Sequence, residues 1–338
     1  MSLDMDYQIF VPVVSASDVF DVSEIILPAT IEDKKTSCTG IYDENTFILL
    51  LYTENPGVVI HEIGLYNSIT SRYEKMFAIA PGQVFEICAY NTSYVVLRIS
   101  EDDWKMTSIY VYDFANRAIN IAAKYSYDDE TEAVYYQNNN TILLLQDQIF
   151  FDDFSKDKSG NIISTLYKHS IENRQTELFA ENAQNPMRMN GEIVYFTYDD
   201  NGEYKRIASN KGIVIDSVQE ALIEIAPTGT AFFCIENKLT DEEARTTLFQ
   251  LTNITTGEGV LATHAPIGRL KANHQFVGWT AYNGSVPCVY DIEKNVLVNF
   301  DEIQEGVTTY YLLVENYGIV LNTVDGVNRF FRFSYKKT

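Results

Sequence analysis

From one end of the chain to the other, apolar and β-branched residues come in short runs separated by polar turns. The clearest instance is residues 83–128, QVFEICAYNTSYVVLRISEDDWKMTSIYVYDFANRAINIAAKYSYD. This stretch predicts four strands: VFEICAYN, YVVLRIS, TSIYVYDF and AINIAAKY. A tight turn at Asn91 and Thr92, the acidic loop SEDDWK and a turn at Asn116 separate them. Strand length, aromatic and β-branched content and polar turns all agree on that reading. Leu/Glu/Lys-periodic runs are nearly absent, so little helix is expected.

Looser copies of the pattern fill the sequence. Strand–turn–strand segments recur as CTGIYDENTFILLLYT, EICAYNTSYVVLRIS, VYYQNNNTILLLQ, MRMNGEIVYFTY, IEIAPTGTAFFCIE, KANHQFVGWTAY and LLVENYGIVLNTV. The third strands that follow centre near Tyr66, Tyr112, Tyr167, Ile207, Gln250, Tyr290 and Phe333. Their spacing of roughly 40–55 residues is the range of propeller blades. The units fall at 36–80, 83–127, 133–182, 185–218, 221–264, 268–300 and 306–338. Seven units of four antiparallel strands predict an all-β fold, a seven-bladed β-propeller forming a single domain over 1–338. Second strands are apolar on both faces because neighbouring blades stack on both sides of them. The seventh unit ends at its third strand, NRFFRFSYKKT, and an N-terminal run, YQIFVPVV at 7–14, is free to supply the missing outer strand. It is expected beside residues 330–335, closing the ring and removing an open edge. Residues 15–35 then read as an acidic connection carrying Pro28.

Two third strands, YVYDF at 110–114 and CVYDI at 288–292, resemble the aromatic–Asp signature of WD-repeat propellers. The resemblance is to the wider WD-like propeller superfamily and covers nearly the whole chain at fold level. It implies that Asp113 and Asp291 belong to structural hydrogen-bond networks. The Gly-His partner of those blades is missing upstream, and no catalytic residue is carried across.

Charge adds a direction. The net charge is −22 and the pI about 4.5, with no Lys/Arg cluster of the kind a polyanion needs. Nucleic acid and anionic membranes are therefore disfavoured as partners. Loops between second and third strands, with those joining blades, gather the acids: Glu101, Asp102, Asp103 and Trp104; Asp129 and Glu130; Asp152 and Asp153; Asp199 and Asp200; Asp241 and Glu242. Asp301, Glu302 and Glu305 belong to the same set. Turns on the other side, such as Asn67-Ser68 and Asn210-Lys211-Gly212, read as neutral or mildly basic. An acidic face suits a basic protein partner, a cation or a substrate, or is simply solvated charge. Trp104 stands out as an anchor beside three acids, or as cover for a blade edge. The stretch 148–159 reads as a long loop, made unusual by Phe150, Phe151 and Phe154.

Chemistry is sparse. Cys38, Cys88, Cys234 and Cys288 lie far apart in apolar strands, as buried thiols of a reducing compartment do. Residues 153–164 space oxygen ligands like a calcium loop, but Lys158 replaces its glycine and Ser164 its final glutamate. His61-Glu62 lacks the second histidine of a zincin and sits on a strand. His169, His264 and His274 are isolated, and Ser155 with Lys158 matches S-x-x-K by spacing alone. A paired-acid hydrolase would draw on first strands, which offer Glu86 and Glu224, with Glu181 nearby. No cofactor is expected beyond a loose surface divalent cation. The sequence lacks a signal-peptide pattern and an apolar run of the ~20 residues a membrane span needs, so a soluble, cytoplasmic monomer is expected. Its expected role is a protein-interaction or scaffold propeller using the acidic face. The alternative is a hydrolase or sugar-binding propeller with carboxylates at the channel mouth.

Overall fold

Polar side chains at strand ends decide where this chain turns. In the computed structural model, six hairpins between third and fourth strands close on a residue whose side chain accepts a backbone N–H two or three positions ahead. These residues are Asn67, Asp113, Ser170, Ser209, Asn253 and Asp291. Four residues after five of them the backbone turns left-handed, at Ser71, Arg117, Arg174, Gly257 and Asn295. After Ser209 the turn is a residue shorter and Gly212 takes that role. Such Asx- and Ser-capped turns stop one strand and start the next. Asp43, Asn91, Thr228 and Asn273 cap first-to-second-strand turns in the same way.

The structure describes residues 7–54, 59–80, 82–101, 106–126, 141–198, 205–218, 222–241, 246–282, 286–301, 303, 305–314 and 317–336. The chain divides into two compact units. A middle unit comprises Leu27–Met187 and Ile193–Ser217; a terminal unit comprises Met1–Ile26, Arg188–Glu192 and Val218–Thr338.

The middle unit holds four antiparallel sheets. The first is Lys34–Ile41, Thr46–Thr53, Val59–Asn67 and Arg72–Ala78, with Thr30–Ile31 added at its first strand. The second is Gln83–Tyr90, Tyr94–Glu101, Met106–Asp113 and Ala118–Ser126. The third is Leu143–Leu145, Gln148–Lys156, Ile162–Ser170 and Gln175–Glu181. The fourth is Ala183–Met189, Glu192–Tyr198, Lys205–Ser209 and Gly212–Val218. Second strands are buried on both faces, as Phe47 to Leu51 show. Small apolar clusters join neighbouring sheets, for instance Val95 and Leu97 against Ile48 and Ile63.

The terminal unit holds a fifth sheet, Leu222–Pro227, Phe232–Asp241, Thr246–Asn253 and Glu258–Thr263. The sixth array is Ile267–Ala272, Phe276–Ala281, Val289–Asp291 and Val296–Asn299. The seventh is Val307–Val314, Tyr317–Val324 and Val327–Tyr335. These last two arrays are continuous through the pairs Thr280↔Thr309 and Ala281↔Thr308. Their shared core holds Trp279, Phe276, Phe331 and Phe333, all buried.

The N-terminal chain does complete the last array, but with a different strand from the one the pattern suggested. Phe20–Ile25, not residues 7–14, lies antiparallel to Val327–Tyr335, from Phe20↔Tyr335 to Ile25↔Phe330. Its FDVSEI alternation buries Phe20 against Phe276, Phe333 and Tyr335, with ring centroids 6.2, 5.1 and 4.9 Å away. Pro12 explains the misassignment, because it cannot donate to a ladder and splits the earlier run. Tyr7–Ile9 pairs antiparallel with Glu258–Thr263, and Val13–Ser15 pairs parallel with Val296–Asn299. A single helical turn, Ala16–Val19, leads into the closing strand.

The third sheet needs a second correction. Residues 148–156 are its second strand, not a loop. Phe150, Phe151, Phe154 and even Asp152 are buried there. The acids disguised a strand that is interior on both faces.

Candidate functional site

The arginine at the centre of YVVLRIS organises a cluster of charged groups on first and second strands. Arg98 sits on a second strand directly across from Glu86 on the first, and its Nη1 lies 3.1 Å from Glu86 Oε2. Glu86 is largely exposed while Arg98 is nearly covered. From the next sheet comes Asp152, only 3% exposed, whose Oδ2 accepts the Asn185 N–H at 2.8 Å. Asn185 belongs to the first strand of the fourth sheet and is left-handed, φ 52°, which turns its amide towards that carboxylate. Burial pushes the Asp152 carboxyl up to about 6; the Asn185 amide and the positive charge of Arg98 pull the other way. A half-buried thiol, Cys88, stands beside them, and desolvation pushes it up to about 12.

The terminal unit uses a carboxylate in the same manner. Glu224 on a first strand accepts the Arg269 N–H at 2.6 Å and the Leu270 N–H from the neighbouring first strand. Arg269 is left-handed, φ 55°, at a bulge in its ladder with Phe276–Ala281. In both units, then, a carboxylate satisfies amides that an irregular inner strand turns out of its own sheet. Glu181 lies apart from these groups, at the exposed end of a fourth strand.

Other polar residues fasten the framework. Asp291 is fully buried, accepts the Lys294 N–H at 3.1 Å and the Tyr335 hydroxyl at 2.6 Å, and Gln275 Nε2 donates to that hydroxyl. The aromatic–Asp segment of the sixth array thus has a network, with a tyrosine as the partner. Asp113 caps its own turn through the Ala115 and Asn116 amides. Glu62 is buried between Lys75 at 3.0 Å and Lys34 at 3.6 Å. Burial opposes its ionisation, but the two lysines prevail and hold its carboxyl below the usual range.

His169 meets Thr176 Oγ1 at 2.8 Å, His61 meets Thr53 Oγ1 at 2.9 Å, and His264 meets the Thr247 carbonyl at 2.9 Å. Burial lowers the pKa of His169. All four cysteines are free thiols. Asp157 closes a tight turn by accepting the Ser159 and Asn161 amides, which accounts for the calcium-loop-like spacing. Among the described residues, no group of three His, Cys, Asp or Glu is placed to hold a metal, and no helix is long and apolar enough to cross a membrane.

Of the acidic-face residues, Asp152 and Asp153 lie inside a strand, and Asp153 caps the following Phe154 amide. Glu101 and Asp241 end the second strands of the second and fifth sheets. Asp102, Asp103, Trp104, Asp129, Glu130, Asp199, Asp200 and Glu242 lie outside the described residues. A surface cavity of about 550 Å³ in the terminal unit is lined by Tyr282, Glu305, Gly306, Thr323, Asp325 and Gly326 among others.

Arg98 and Asn185 are the functional candidates that pattern reading misses. A charged residue inside a strand buried on both faces must find a partner, and that requirement is the signal for Arg98. Nothing local marks Asn185.

The architecture matches solved β-propellers. An oligogalacturonate lyase from Vibrio parahaemolyticus aligns with TM-score 0.52 at 11% identity, over 98% of both chains. The β-propeller domain of the Trilobed protease from Pyrococcus furiosus aligns with TM-score 0.55 at 10% identity, over 91% of this chain and 96% of its own. A second oligogalacturonate lyase, solved in complex with manganese, gives 0.52 at 8% identity over 98% of both. These likenesses establish the fold class: the chain is a β-propeller. No protein-family model matches the sequence, and no curated protein matches it.

Proposed function

We propose that this β-propeller is a protein-interaction module whose acidic second-to-third-strand loops receive a basic partner. The observation that supports the reading is the phasing of the second strands. Tyr94–Glu101 and Phe232–Asp241 end on acids, and Glu192–Tyr198 ends immediately before Asp199 and Asp200. Within each of these up-and-down antiparallel sheets, that end of the second strand lies at the edge where the first strand begins. The framework's own acids, Asp152, Glu224, Asp291 and Glu62, are by contrast bonded to backbone amides, a hydroxyl or lysines. On this reading the propeller is seven-bladed, in the manner of the wider WD-like superfamily. Recovering partners from a lysate at low and at high salt tests the reading. Steep loss of basic partners with salt is expected, and further loss when Asp199 and Asp200 are both changed to Asn. Neutral, salt-insensitive partners would overturn it.

A second reading, a hydrolase or saccharide-binding site, is favoured by one observation: Asp152, with its pKa raised to about 6, lies within the field of Arg98, which pairs with Glu86 on the first strand of its own sheet. A carboxyl poised near neutrality beside a cation is the arrangement general acid–base chemistry uses. Screening acidic and neutral oligosaccharides for turnover, with Asp152→Asn as control, checks it. Turnover that survives the substitution would remove Asp152 from any catalytic role.

A further inference from the structure

We infer that the cavity at Tyr282, Glu305 and Asp325 is a pocket for the guanidinium of an arginine on a basic partner segment. The inference rests on the acidic-face reading above and adds the chemical group recognised. All of the lining lies within the terminal unit. Tyr282 follows directly after the second strand of the sixth array and is half-exposed. Glu305 and Gly306 lead into the first strand of the seventh array. Asp325 and Gly326 form the tight turn between that array's second and third strands, which is the loop position where the acidic tracts fall. The cavity, an open surface depression of about 550 Å³, therefore lies at the edge of these two arrays where their second strands end.

The floor is built. Gly306 has φ 88°, and a Cβ there would stand 2.3 Å from the Thr323 carbonyl oxygen, so the chain reaches that strand only as glycine. Buried Asn322 donates from Nδ2 to the Glu305 carbonyl at 2.9 Å and to Thr308 Oγ1 at 3.3 Å, fixing the backbone that carries the Glu305 carboxylate. Asp325 is held left-handed at φ 50° by the two-residue turn. The chemistry of the lining is one-sided: an aromatic ring and two carboxylates, with no lysine or arginine among the described lining residues. A planar cation satisfies both, stacking on the ring and donating to the carboxylates through its fork. A neutral sugar could use the ring, but it would meet acceptors without a charged donor.

The test uses the full chain and a labelled dodecapeptide of alternating Arg and Gly, followed by fluorescence anisotropy at low ionic strength. Binding should fall at least tenfold for the citrulline version of the peptide, which keeps the shape and loses the charge. It should fall at least tenfold for Glu305→Gln with Asp325→Asn and several-fold for Tyr282→Ala, while Tyr282→Phe stays near the parent. Glu305 and Asp325 are exposed, so unchanged thermal midpoints would show that these variants fold. Equal binding of the citrulline peptide, or full binding by the doubly substituted chain, overturns the pocket. If the peptide instead loses affinity only when Asp199 and Asp200 become Asn, the acidic-loop reading stands and the pocket falls. If neither set of changes nor salt alters binding, both fall.

Discussion

At Asp152 the folded chain favours the protonated carboxyl, because burial raises its pKa to about 6 while an unfolded aspartate titrates near ~3.9. A group with a raised folded pKa contributes most at pH values below its unfolded value and loses that contribution as pH climbs through about 6. Asp152→Asn keeps an oxygen to accept the Asn185 N–H and removes the buried charge. The variant is expected to be more stable than the parent by about 1–3 kcal/mol at pH 7.5, with the gap closing near pH 4. Urea titrations across that pH range check the sign, and an Asn variant less stable at neutral pH would contradict it. A second residue-scale test concerns Arg174, an exposed non-glycine held at φ 55°. Arg174→Gly should raise stability by about 0.5–1 kcal/mol, since the αL conformation costs a side-chain-bearing residue about that much. A thermal midpoint that falls instead would show that the arginine side chain contributes more than its backbone strain removes.

Among the strands, the decisive prediction falls on Phe20–Ile25. Phe20→Ala opens a hole among Phe276, Phe333 and Tyr335 and should cost about 3–5 kcal/mol in urea unfolding. Deleting residues 7–15 leaves the Phe20 pairing intact and removes the short ladders to Glu258–Thr263 and Val296–Asn299 with the packing of half-buried Ile9 and Val11, so its cost should be smaller. The reverse order of effects would put the seal of the last array in Tyr7–Ile9 and Val13–Ser15 instead. This is also the scale at which sequence and structure agree most and then part. Hairpins such as Asp113–Arg117 are legible because their caps and turns are local, settled within five residues. The strand IFFDDF is not, since its buried acid depends on an amide supplied 33 residues later by Asn185 and on the charge of Arg98 in another sheet. The closing strand is not legible for the same reason, as its partners are fixed by packing across the length of the chain. Of the site residues, Glu86 and Glu224 follow from strand position and Arg98 pairs with Glu86 within its own sheet, whereas Asn185 becomes meaningful only once separate sheets meet.

For the whole molecule, 47 acids against 25 Lys and Arg imply self-repulsion at low ionic strength. The thermal midpoint should rise as NaCl goes from ~10 mM, where the Debye length is ~30 Å, to ~0.15 M, where it is ~8 Å. A midpoint independent of salt would show that the charges are too well dispersed to repel. The two units also differ in how they are threaded. The middle unit is drawn from Leu27–Met187 and Ile193–Ser217, while the terminal unit needs both Phe20–Ile25 and Val327–Tyr335. The Glu24–Arg329 ion pair, 2.9 Å long, joins residues 305 positions apart. During synthesis, therefore, Phe20–Ile25 must wait for Val327–Tyr335 before it can pair. The middle unit has its full sequence much earlier and can fold while the ribosome is still adding the rest. Until Val327–Tyr335 emerges, Phe20 and its neighbours remain an exposed apolar segment, the stretch of a nascent chain that a chaperone would hold.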